Sequence, residues 1–111
     1  MIHVLATARI REGCMAQALD CYRVLVSLVL ANEPGCLAYR PTSDTHLGLG
    51  NQDLCAGEIL VVEQWRSIDD FRQHLKMAHC AAFRQKIAPF LREGIRVRIT
   101  QDCVPDVGYE Q

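Results

Sequence analysis

Two histidines, His74 and His79, stand five residues apart in the second half of the chain. Both imidazoles titrate near neutral pH, where they can take or give a proton. Upstream of them the single tryptophan, Trp65, sits in Glu63-Gln64-Trp65-Arg66-Ser67. An indole offers a broad apolar face and one N–H donor. On a regular strand Glu63 shares the face of Trp65. There it is either a buried acid with a raised pKa or the partner of Arg96 or Arg98, and the ion pair is the expected arrangement. Apolar surface, one donor and groups that exchange protons fit a small organic ligand. Each residue also has a plain structural role: Trp65 as a core or interface anchor, His74 satisfied by a carbonyl beside a helix's apolar stripe, His79 as a helix cap.

Other chemistries find less support. His74, His79 and Cys80 share no helical face at this spacing unless the helix breaks between them, and no third ligand type stands at a diagnostic interval, so no metal is expected. The six cysteines, at 14, 21, 36, 55, 80 and 103, form no C-x-x-C pair. With 50% hydrophobic residues a core needs no staples, so we expect free thiols in a reducing cytoplasm. Gly48-Leu49-Gly50 lacks the following helix start that a phosphate loop requires. The 12 basic and 13 acidic residues nearly cancel, which argues against nucleic acid. The longest nearly apolar run, Val24 to Ala31, is far below a membrane span, and Met1 to Arg11 alternates instead of forming a secretory signal.

The elements that must position these residues follow from hydrophobic period. A first strand covers 2–11, with Ile2, Val4, Ala6, Ala8 and Ile10 on one face. A long helix begins at Met15, its stripe formed by Met15, Ala18, Leu19, Tyr22, Leu25, Val26, Val29 and Leu30, and ends at Asn32-Glu33-Pro34-Gly35. Val24 and Leu28, on its opposite side, suggest a further contact surface. Cys36 to Thr42 is a second strand, 43–57 a loop, and Ile59 to Trp65 a central strand apolar on both faces. Ser67 caps a helix with Asp70, buried through Ile68, Phe71 and Leu75. A break at 76–78 precedes a helical stretch with Cys80, Phe83 and Ile87, then Pro89, and Ile95, Val97 and Ile99 mark the last strand.

This order predicts an α+β, ferredoxin-like βαββαβ fold: an antiparallel four-stranded sheet with a split second helix, one domain over 1–101 and a tail over 102–111 containing Pro105 and Gly108. The sheet face away from the helices would carry Trp65 with either Leu60 and Val62 or Ile59 and Val61. A second copy, sheet against sheet, is the expected cover.

With those elements placed, Gly35-Cys36, Tyr39, the Glu63 to Ser67 stretch, and His74 with His79 and Phe83 resemble the antibiotic biosynthesis monooxygenase family. The resemblance spans Ile2 to Gln101. It implies a homodimeric α+β barrel and a cofactor-independent oxygenation, in which a small aromatic or quinol-like substrate itself reduces dioxygen. It also implies Trp65, His74 and His79 as catalytic residues and Tyr39, Glu63 and Phe83 as pocket residues, one pocket per subunit between the Trp65 strand and the split helix. Val61 replaces the asparagine of the family's polyketide oxygenases, and Ala8 that of its haem-degrading branch, which leaves a quinol-type or uncharacterised member. A barrel that binds a small molecule without chemistry, and an isomerase of a small carbonyl compound with a histidine base, are the alternatives.

Overall fold

The alternating stretch at the N-terminus forms β1 (Ile2–Arg9), which buries Ile2, Val4 and Ala8. In the computed structural model, which describes residues 1–104, β1 pairs on one side with β3 (Glu58–Trp65) and on the other with β4 (Arg96–Gln101). The strand β2 (Cys36–Thr42) completes an antiparallel sheet in the order β2-β3-β1-β4. The first strand stops short of the expected Arg11, and Ile10 makes only an isolated bridge to Leu91. With α1 (Met15–Asn32), α2 (Ile68–Leu75) and α3 (Ala78–Ile87), the chain has the expected ferredoxin-like βαββαβ architecture with a split second helix. Among the described residues no helix is long and apolar enough to cross a membrane.

Ala18, Tyr22, Leu25 and Val29 bury one face of α1. Leu30, expected in that stripe, is instead 55% exposed, because it lies at the edge of the arc that meets the sheet. Pro34 cannot continue the helix, and Glu33 becomes its C-cap, with its N–H donating to the Val29 carbonyl at 2.9 Å. The chain then passes so close to α2 that a Cβ on Gly35 would collide with the Asp70 carboxylate. The Arg66 N–H holds this approach by donating to the Gly35 carbonyl at 2.9 Å.

Ser67 caps α2 as expected, accepting from the Asp70 N–H at 3.2 Å while its hydroxyl donates to the Asp70 carboxylate at 2.9 Å. The buried stripe of α2 differs from the expected one. Phe71 and His74 point inward, and Ile68 and Leu75 are about half exposed. The helix can turn a histidine inward because Glu33 is waiting for it.

The uncovered sheet face also differs. Trp65 is fully buried on the helix side with Ile59, Val61 and Glu63. The opposite face carries Leu60, Val62 and, in register with Val62, Leu5. Within one chain β3 is therefore internal in the sheet but covered on one side only. Of the expected tail, residues 105–111 with Pro105 and Gly108 lie outside the described residues. Asp102 is tied back to the sheet, accepting from His3 Nε2 at 2.7 Å.

Candidate active site

The period of β3 sends Glu63 and Trp65 to the same side, beneath α2. There the Trp65 Nε1–H donates to Glu63 Oε1 at 2.9 Å. The expected ion pair with Arg96 or Arg98 does not form. Those arginines pair in register with Thr7 and Leu5, whose side chains leave the other face of the sheet. Glu63 is instead the buried acid: burial pushes its carboxyl up to about 7, the indole hydrogen bond works against that, and the charge of Glu33 adds to it.

His74 packs its ring against Trp65 at a centroid distance of 4.6 Å and stacks on Phe71 at 5.9 Å. Its Nδ1 lies 2.9 Å from Glu33 Oε2, and His79 Nε2 reaches the same oxygen at 2.7 Å. Burial holds the His74 imidazole below its ordinary pKa, and the Glu33 hydrogen bond and charge partly oppose that. Cys80 Sγ is 3.5 Å from both ring nitrogens of His74.

Between the sheet and the helices lies a cavity of about 210 Å³. Four rings, Tyr22, Tyr39, Phe71 and Phe83, form its apolar wall, and Glu63 and His74 supply its proton-exchanging groups. The phenols and thiols near Glu63 stay neutral around pH 7, while Arg84 brings a guanidinium to the cavity wall. Burial, reinforced by the Glu63 charge, raises both phenols, and it lifts the Cys36 and Cys80 thiols to about 11.

Of the residues singled out in the sequence, Tyr39, Glu63, His74 and Phe83 meet in this cavity. Trp65 does not line it; the indole backs Glu63 and His74 from within the core. His79 lies across Glu33 and opens on a separate groove between α1 and α3. The structure adds Glu33, which the sequence reading took as part of a helix stop. An acid at a helix C-terminus opposes the dipole, and that misplacement was the available signal.

The antibiotic biosynthesis monooxygenase family profile matches residues 1–86. The chain belongs to this family. It is 32% identical over 103 residues to the Escherichia coli (strain K12) protein named "Probable quinol monooxygenase YgiN", covering 91% of this chain and 97% of that one. A crystal structure of an antibiotic biosynthesis monooxygenase superposes with a TM-score of 0.74 at 27% identity, over 95% of this chain and 100% of that one. A Nitrosomonas europaea chain, at 14% identity, shares the fold with a TM-score of 0.79 over 94% and 100%. The family and fold expected from the motifs are thus borne out. The Glu33, Glu63 and His74 geometry belongs to a chain of the antibiotic biosynthesis monooxygenase family.

Proposed function

We propose that this chain oxygenates a small hydroquinone or phenol with dioxygen, and that the substrate's own electrons replace those of a flavin or metal. The observation that carries this reading is the aromatic cavity with Glu63, a carboxylate at about 7, in its wall. For a hydroquinone the balance closes: one oxygen atom forms a C–O bond to the ring, the O–O bond breaks, and the second atom leaves as water. Hydroquinone and dioxygen become hydroxyquinone and water. The substrate loses four electrons, dioxygen gains them, and no outside reductant enters.

In this reading Glu63, rather than His74, takes the first phenolic proton. A base with a pKa near the working pH combines availability with driving force, while His74 has one nitrogen committed to Glu33. His74 serves as the second polar contact, and the four rings hold the substrate and exclude water. The cavity is below the roughly 300–1,000 Å³ of drug-sized sites, which favours one or two fused rings. The cytoplasm suits the reading, since a reducing compartment keeps all six thiols free. The functional unit is the 1–101 domain as a homodimer, with Leu5, Leu60 and Val62 meeting their counterparts. Light scattering should give a dimer that Val62→Arg dissociates; a monomer at micromolar concentration would overturn this part.

The test is oxygen uptake with a panel of hydroquinones, using protein treated with chelator. Turnover that is lost in Glu63→Gln supports the proposal. A panel on which the native protein is no faster than that variant refutes it. Quinol recovered unchanged from a tight complex would instead indicate a binding module, and solvent deuterium entering a carbonyl compound would indicate an isomerase.

A further inference from the structure

Glu33 and His79 take no part in the proposed oxygenation, and with His74 and Cys80 they form a second, largely buried cluster. Glu33 caps α1, His74 lies in the last turn of α2, and His79 and Cys80 lie in the first turn of α3. Their ligand atoms, one oxygen, two nitrogens and one sulfur, all lie within 4.8 Å of one another. Backbone features impose this convergence. The close passage at Gly35 fixes Glu33 beside α2, and the chain breaks helix at Lys76 and Met77, where their N–H groups donate to the Gln73 and His74 carbonyls. That break removes the objection that two histidines at this spacing cannot share a helical face.

The Glu33 carboxylate is 5% exposed, and among the described residues its ion-pair partners are His74 and His79, with no lysine or arginine. Both imidazoles lie within hydrogen-bond distance of it. A buried carboxylate held by two side chains that can themselves ligate a metal is a suitable donor set for a cation. In a tetrahedral site with metal bonds of about 2.0–2.2 Å, neighbouring nitrogen and oxygen ligands stand about 3.3 Å apart. The Glu33 oxygen is 2.9 Å from His74 Nδ1 and 2.7 Å from His79 Nε2, so each pair need open by only a few tenths of an ångström.

We propose that Glu33, His74 through Nδ1 and His79 through Nε2 form a binding site for a divalent transition metal, with Zn²⁺ the best-matched ion. Two imidazoles and one carboxylate suit that borderline cation, whereas Mg²⁺ and Ca²⁺ take oxygen ligands. Cys80 Sγ, 3.5 Å from His74 Nδ1, stands within reach of the fourth position. The ion has an approach: His79 is partly exposed and lines a groove of about 270 Å³ between α1 and α3. Bound there, it would join the ends of three helices.

The test reads binding and needs no turnover, so its outcome is independent of the oxygenation. Full-length protein carrying Cys55→Ser and Cys103→Ser, to remove two exposed competing thiols, is stripped with chelator and titrated with ZnCl₂ by calorimetry. One ion per chain is expected, weakened about a hundredfold or more by Glu33→Gln and by His79→Gln. In nitrogen NMR the ring signals of His74 and His79 should shift, and those of His3 and His46 should not. If Glu33→Gln fails to fold, His79→Gln at the edge of the groove and the ring signals decide. Absence of stoichiometric binding, undiminished affinity in His79→Gln, or shifts at His3 or His46 would each overturn the assignment.

Discussion

Glu63 and Glu33 are both almost wholly buried, 3% and 5% exposed, yet their surroundings differ in kind. Glu63 receives one indole N–H and faces an aromatic cavity. Glu33 is gripped by two imidazoles at the junction of three helices. A buried carboxylate with one neutral donor is held near the point of protonation, where it can do acid–base work. A buried carboxylate with two imidazoles is a structural clasp and a ligand. The same side chain thus takes two roles, set by the number and type of its donors.

The sharpest way to break this contrast is to remove Glu33. Glu33→Ala would leave two inward imidazoles without their acceptor, and breaking such a buried pair costs roughly 3 kcal/mol. Relief of the unfavourable charge at the α1 C-terminus returns only about 0.5 kcal/mol. Urea denaturation measures the net loss. A loss below about 1 kcal/mol would mean that Glu33 clasps nothing.

Glu63→Gln should act in the opposite direction. The folded pKa of about 7 lies above the ordinary 4.5, so the folded state keeps a proton that the unfolded chain releases between those values. The associated stability is full below 4.5 and is lost as pH rises through 7. The shift corresponds to roughly 3 kcal/mol, and relaxation of the protein around the charge reduces this to about 2 kcal/mol. Glutamine still accepts the indole hydrogen bond without the charge. The variant should therefore be about 2 kcal/mol more stable than the native protein at pH 8 and nearly equal to it at pH 4, while losing turnover. Equal stability at both pH values would show that Glu63 is an ordinary acid.

These two carboxylates also mark where sequence reading succeeds and fails. The alternation in β1 and the 3.6-residue stripes of α1 and α3 identified the elements, because periodicity is a local property. The inward face of β3 was not legible: Ile59 and Val61 are apolar, and so are Leu60 and Val62, so composition could not say which pair meets the helices. That ambiguity put Trp65 on the wrong face and Glu63 in a false ion pair. Phe71 was legible as core, but the burial of His74 was not, because it depends on Glu33, 41 residues away in sequence. Contacts of that range leave no periodic trace.

The smallest expected effect separates two roles for Trp65. If the indole acts through Glu63, then Trp65→Phe removes the donor that opposes the raised pKa while keeping a ring against His74 and Phe71. A hydrogen bond to a charged group is worth about 1.5 kcal/mol, or roughly one pKa unit. The rise of kcat/KM with pH should then move from about 7 in the native protein to about one unit higher in the variant. The plateau kcat should hold, because the indole does not line the cavity. An indole that touched substrate would give the reverse pattern: a raised KM with the pH profile in place. That result would put Trp65 back in the cavity wall and leave Glu63 without the donor that distinguishes it from Glu33.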